Sequence, residues 1–191
     1  MMRILVKWFS IGLVGLLVVG CARLPVASYT PQYNGVTTKI NGNANIGLFT
    51  YLPFEQGRVT SNQIENTAVN NFYIEGDIAE LAQRGTIIEL ERAGVNLNNS
   101  NLTILGKIKK FRADDLGFNI DWSYIINYKI VDKSGAIILD RDYIADPMRV
   151  SKWTITLQSV INNINSMIYS GYKKFIDDPD VRTLLAKGIT R

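Results

Sequence analysis

Histidine is absent from this 191-residue chain, and cysteine occurs once, at Cys21. Without histidine the usual general base near neutral pH and the commonest nitrogen ligand for metals are both missing. A lone cysteine excludes a disulfide within the chain, so stability has to come from packing. No glycine-rich phosphate loop and no Gly-x-Ser-x-Gly nucleophile turn occurs either. Charge of one sign is not in marked excess, with 21 basic and 17 acidic residues giving a formal net charge of +4. Such a chain offers no electrostatic footprint for nucleic acid. No cofactor and no metal site is expected from this inventory.

What the sequence does contain is concentrated first at its start. Arg3 and Lys7 precede thirteen mostly apolar residues, Trp8 to Gly20, which end in Val18-Val19-Gly20-Cys21. As a helix this run would span roughly 20 Å, short of the roughly 30 Å of hydrocarbon that a spanning helix must cross. It has the size of a secretory signal peptide, and small Gly20 leaves a peptidase access to the backbone. The layout resembles the lipobox of bacterial lipoproteins. That resemblance implies a diacylglyceryl group on the Cys21 thiol, signal cleavage after Gly20, and a further acyl chain, palmitate in type, on the new amino terminus. Each buried methylene adds about 0.8 kcal/mol and one myristoyl chain binds only marginally, so several chains on Cys21 would hold the protein in the membrane. Ala22, in place of Asp, further implies delivery to the outer membrane, facing the periplasm.

Three segments follow from this reading: a signal peptide over 1–20, the lipidated cysteine with a flexible tether over 21–43, and a single periplasmic α+β domain over 44–191. The tether is inferred from Pro25, Pro31, Gly35 and Gly42 scattered among polar residues, with a coil reach of about 25 Å. Within the domain, alternation predicts a strand from Asn45 to Leu52, and polar Ser61 to Asn71 reads as loop. Apolar steps of three and four predict a helix from Tyr73 to Ala93, ended by Gly94 in the left-handed conformation. Leu102 to Phe111 reads as a strand closing at the turn Arg112 to Asp115. From Phe118 to Ile130 every even position is apolar or aromatic, the mark of a strand with one buried face. Asp132-Lys133-Ser134-Gly135 is turn chemistry, and Ala136 to Ala145 returns as the partner, with Tyr128 expected opposite Leu139 and Asn127 opposite Asp140. A second long helix is expected from Ser151 to Ile176, with Trp153 at the head of its apolar stripe, and a short last helix from Asp178-Pro179-Asp180. Together these predict a two-layer α+β domain, an antiparallel β-meander of about four strands packed against two helices.

Several stretches in this order, Gly47-Leu48-Phe49, Glu91-Arg92-Ala93-Gly94-Val95, Asn101 to Lys110, Tyr128-Lys129-Ile130-Val131-Asp132 and Asp178-Pro179-Asp180-Val181, together with the lipobox, resemble the YajG-like family of uncharacterised bacterial outer-membrane lipoproteins. The resemblance implies a location and a shape, not a reaction.

Carboxylates are the remaining chemical inventory: Asp114 with Asp115, Asp140 with Asp142, and Asp177, Asp178 and Asp180. Paired carboxylates can hydrolyse glycosides. Here the first pair sits in a turn, the second on the wet face of a strand, and the third charges a helix start, so no enzyme is expected. Two non-catalytic roles compete. One is a tethered interaction module for another envelope protein, using the meander edge or Tyr51 with Phe54. The other is a lipid-binding accessory of an envelope transport or assembly system, using a gap between helix and sheet lined by Trp122, Tyr124, Tyr128, Trp153 and Met167. A continuous apolar cavity on the order of several hundred Å³ would favour a lipid ligand; a filled core would leave the interaction module.

Overall fold

The computed structural model describes residues 23–25, 28–31, 39–66 and 72–187. The expected signal peptide, Gly20 and Cys21 lie outside these residues. In chain order the elements are β1 (Arg23–Leu24), β2 (Gly42–Asn43), β3 (Asn45–Tyr51), α1 (Leu52–Glu55), β4 (Gln63–Asn66) and β5 (Phe72–Ile74). There follow α2 (Ile78–Ala93), β6 (Val95–Asn96), β7 (Leu102–Asp114), β8 (Asn119–Asp132), β9 (Ile137–Ile144) and β10 (Met148–Ser151). A 3-10 turn at Lys152–Thr154 then leads into α3 (Leu157–Asp177) and α4 (Pro179–Lys187).

The domain is α+β, and the predicted meander is present as β7, β8 and β9. The sheet around it is larger and mixed. Long β7 is flanked on one side by β3 along its first half and by β4 near its end, both parallel to it. On the other side, β8 carries β9 and β10, both antiparallel. Beyond β4 come β5 and then β1, whose pairing with β5 is parallel. The expectation of an antiparallel meander of about four strands is therefore only roughly matched: the antiparallel strands are there, and parallel neighbours extend them into a mixed sheet. Alternation of apolar residues reports which face a strand buries but not the direction of its neighbour, and β3 and β4 reach β7 through crossovers rather than hairpins.

Helices α2 and α3 cover one face of the sheet, and Ile104, Ile108, Phe111, Trp122, Tyr124, Ile126, Tyr128 and Ile130 fill the space beneath them. The even positions of β8 face this core as predicted, except Phe118, which lies outside the strand and is exposed. In β7 an irregularity between Ile108 and Lys110 shifts the inward positions from even (Ile104, Ile108) to odd (Phe111, Ala113). A bulge of this kind inserts one residue and bends the strand; it breaks the alternation, which is why the strand reads as ending before Arg112.

Two helix starts differ from expectation for the same reason, that a short strand takes the residues before a cap. Phe72–Ile74 pairs with β4, so α2 begins only after Asp77, whose carboxylate accepts from the Ala79 and Glu80 amides at 2.7 and 3.3 Å. Gly94 ends that helix at φ +90°, as predicted. Met148–Ser151 pairs with β8, so α3 begins after Thr156, which forms a reciprocal capping box with Ser159. Trp153 accordingly stands in the 3-10 turn, outside the helical stripe.

The β8–β9 register is displaced by two residues: Tyr128 lies opposite Arg141, Asn127 opposite Asp142 and Ile130 opposite Leu139. Because side chains alternate with period two, this slip leaves Leu139, Tyr143 and Ala145 on their predicted buried face. A further shift between Ile130 and Val131 puts Ile137, expected beside them, at 58% exposure. The tether reading is corrected at the positions described. Leu24, Tyr29 and Ile40 are buried in the core, the Tyr29 hydroxyl donates to Glu89 at 2.9 Å, and the Ile40 amide donates to the Ala93 carbonyl at 2.7 Å. Scattered prolines and polar residues conceal three well-separated apolar anchors that hold this segment on the domain.

Candidate functional site

The residues proposed from sequence separate into three environments. Trp122, Tyr124 and Tyr128 are core residues, almost wholly buried, so they form no surface. Phe111 meets Tyr124 edge-on with centroids 5.0 Å apart, and Tyr128 stacks on Phe175 at 4.2 Å. Met167 is buried among them. The gap in which a lipid ligand would have to lie is occupied by these side chains. Trp153 is at the opposite extreme, 83% exposed.

Tyr51 and Phe54 do come together, on a groove of about 390 Å³ between β3, α1 and the first turns of α2. Pro53 starts the single turn of α1 and is itself buried. That turn separates the two rings: Tyr51 points inward and donates to the Gln63 carbonyl at 3.0 Å, whereas Phe54 is 51% exposed. Leu48, 71% exposed, forms the other lip, at the point where the pairing of β3 with β7 is irregular between Ile46 and Phe49. Phe49 and Ala79 lie between, and Glu55, Asp77 and Glu80 give the rim its negative charge. Lys107 hydrogen-bonds Glu55 at 2.8 Å and holds that carboxyl below the usual carboxylate range. Gln83 Nε2 donates to the Gly47 carbonyl at 2.7 Å. A bulge is a common protection of a sheet edge, and the irregularity in β3 together with the Gln83 bond to the Gly47 carbonyl disfavours addition of a further strand here. Leu48 was missed from sequence because strand alternation gives no hint that a core-type residue falls at an irregularity.

The other proposed surface, the meander edge, is β9. Its centre is Asp140-Arg141-Asp142, and each charge is engaged. On the open face of the sheet Asn127 donates to both Asp140 and Asp142 at 2.8 Å, Lys129 pairs with Asp140 at 3.1 Å, and Lys109 with Asp142 at 2.7 Å. Hydrogen bonds from Asn127 and then Lys129 keep the Asp140 carboxyl below its ordinary range. For Asp142, burial opposes the charge, but Lys109 and Asn127 outweigh it and the shift is again downward. Asp114 and Asp121 face each other across β7 and β8, each with its own arginine: Arg112 at 3.2 Å and Arg149 at 2.6 Å. A glycosidase needs one carboxyl kept protonated by a raised pKa; the carboxylates displaced here are displaced the other way. Among the described residues no group of three or more acidic or cysteine side chains is placed to hold a metal ion.

Asp178 forms a clamp between the sheet and α4. Its side chain is nearly buried, it accepts from the Tyr143 hydroxyl at 2.8 Å, and it pairs with Arg141, which also reaches Asp180 at 3.1 Å. Burial works against the Asp178 charge, yet bonds from Tyr143, the Asp180 amide and Arg141 prevail and its pKa is lowered. A carboxyl whose folded pKa lies below its unfolded value of about 3.9 stabilises the fold above that pH and loses the contribution as pH falls through the folded value. Melting temperatures measured from pH 6 down to about pH 2 should therefore fall less steeply for Asp178→Asn than for the wild type.

No family model matches the chain, and no curated protein matches it. Solved structures do resemble it. A Xanthomonas campestris protein of the DUF330 family superposes with a TM-score of 0.60 at 9% identity, over 82% of this chain and 95% of that one. A hypothetical protein from Chlamydia trachomatis gives 0.46 at 8% identity over 78% and 98%, and the lipoprotein GNA1162 from Neisseria meningitidis gives 0.28 at 7% over 67% and 98%. The first shares the fold.

Proposed function

We propose that the protein is a lipid-anchored cell-envelope protein, held at the outer membrane on acylated Cys21 and facing the periplasm, where it acts as a non-catalytic interaction module for another envelope protein. The observation that carries the interaction reading is the groove between Leu48 and Phe54, which leaves two large apolar side chains in water beside a core that has no need of them. Exposed apolar side chains grouped on a rigid groove are a usual mark of a binding surface. The matching of Asp140, Asp142, Asp114, Asp121 and Asp178 with cationic or amide partners supports a non-catalytic role. The filled space between helices and sheet favours this reading over an internal lipid ligand.

The test is crosslinking in intact envelopes with three forms: wild type, Cys21→Ser and Leu48→Asp. Incorporation of a fatty-acid analogue should be confined to forms that retain Cys21, and Cys21→Ser should leave the membrane fraction. Leu48→Asp, which retains the anchor, should lose at least tenfold of the crosslinked partner. Labelling that persists in Cys21→Ser would refute the anchor, and undiminished crosslinking of Leu48→Asp would refute the groove.

A further inference from the structure

The direction of the strands brings one end of the sheet into a particular relation with Cys21. Taking β7 as rising, β4 rises with it, β5 descends, and β1, parallel to β5, also descends. The amino-terminal end of β1, at Arg23, therefore faces the upper end. At that same end are the β7–β8 turn and the 3-10 turn after β10, joined by the Lys152 amide donating to the Phe118 carbonyl at 3.0 Å. This end displays Leu116 at 68%, Phe118 at 74%, Trp153 at 83% and Leu157 at 54% exposure.

These side chains stand on a rigid base. The Asp114 carboxylate accepts from the Leu116 amide at 3.3 Å, Gly117 turns the chain at φ +83°, and Lys152 bonds the Asp115 carbonyl. The charges nearby are matched in pairs, Arg112 with Asp114 and Arg149 with Asp121. The apolar residues are not filling the core, and nothing in the turn chemistry asks for leucine, phenylalanine or tryptophan.

We propose that this end of the sheet is a membrane-facing surface, with Leu116, Phe118, Trp153 and Leu157 entering the interface of the bilayer that holds acylated Cys21. The inference rests on the reading of Cys21 as the anchor. By register, Arg23 is level with Tyr73 and Gln63, two residues short of the Glu65–Arg112 pair, and so with Lys110. The turn at Leu116 lies about 20 Å further along β7. Two residues of chain from Arg23 to Cys21 reach at most about 7 Å. The turn thus projects roughly 13 Å past the attachment point, and a modest tilt brings that to the roughly 5–10 Å at which interfacial apolar side chains lie. Four strand spacings from β1 to β8 set the turn about 20 Å to the side, close enough for one patch of membrane to meet both. A tryptophan beside leucine and phenylalanine is the composition of a membrane interface.

Trp153 is itself the probe. Acylated protein is placed in phosphatidylethanolamine and phosphatidylglycerol vesicles with brominated acyl chains, and the difference from Trp153→Phe isolates its emission. Cys21 acylation is read by mass in the same sample. The expected result is a blue-shifted Trp153 emission quenched at least twofold by the brominated lipid, with the quenching at least halved in Leu116→Ser/Phe118→Ser; Leu157→Ser gives the same reading should that pair fail to fold. An acylated, vesicle-bound protein whose Trp153 stays open to aqueous iodide overturns the surface and leaves the anchor standing. An unacylated Cys21 with Trp153 still quenched by lipid keeps the surface and overturns the anchor. Protection of Trp153 from iodide in lipid-free Cys21→Ser would mean that a second copy covers this end, which also overturns the proposal.

Discussion

Tyr128→Ala is expected to lower the free energy of unfolding by about 4 kcal/mol, within the range of aromatic truncations in a core. The side chain is almost wholly buried and sits at the meeting point of both layers. Its ring stacks on Phe175 of α3 at 4.2 Å, meets Phe49 of β3 at 6.1 Å and Tyr143 of β9 at 5.9 Å. Truncation would remove partners from three elements at once and leave a cavity that stiff neighbouring rings cannot close. The hydroxyl is the smaller contribution. Thr86 Oγ1 lies 2.8 Å from it and gives its own proton to the Ala82 carbonyl at 2.9 Å, so Tyr128 is the donor. Tyr128→Phe should therefore cost only about 1 kcal/mol, since Thr86 stays satisfied. Urea titrations of both variants, compared at equal m-value, separate ring from hydroxyl; similar losses in the two would show that packing around Tyr128 is not what joins the layers.

Gly106→Val should destabilise by about 2–3 kcal/mol although valine is the better strand former. Gly106 is paired with Phe49 on one side and Tyr128 on the other, in one row across β3, β7 and β8. The Phe49 ring lies over it: a Cβ at this position would fall within the ring's contact surface, 2.7 Å from Cζ. The gain from strand propensity is at most about 1 kcal/mol, and overpacking a closed core typically costs about 1–3 kcal/mol; a displaced Phe49 also loses its edge contact with Tyr128. Combining Gly106→Val with Phe49→Ala should recover part of the loss, so that the double variant is less destabilised than the sum of its parts. Strict additivity in thermal unfolding would show that the ring and the glycine are not coupled.

Both predictions concern a face that could be read in advance. The even residues of β8 carry strict alternation, and alternation is a direct image of a sheet buried on one side. The turn at Gly135, the stop at Gly94 and the start of α4 at Pro179 were legible for a similar reason, each being fixed by residues adjacent in sequence. What could not be read depends on distant partners. β4 contributes four polar-flanked residues whose only claim to be a strand is β7 and β5 beside them. The bulge after Ile108 hid the last turn of β7, and the β10 pairing moved Trp153 from a helix face to an open turn. Of the candidate surface residues, Phe54 and Trp153 proved exposed, while the aromatics of β8 were indistinguishable from them by type and differ only by the layer above.

The packing of Leu24, Tyr29 and Ile40 onto the domain has a mechanical consequence. A pull transmitted through an anchored Cys21 would arrive first at β1, which among the described residues pairs with β5 at Arg23–Tyr73 and Leu24–Ile74. The load would then pass down the helix layer to the Tyr29–Glu89 bond and finally to the Ile40–Ala93 amide bond at the far end. These contacts lie in series, so they would yield one after another and lengthen the link to the membrane before force reached β3. Were Cys21 so anchored, the described part of this segment would behave as a reel, its contacts released in turn by tension.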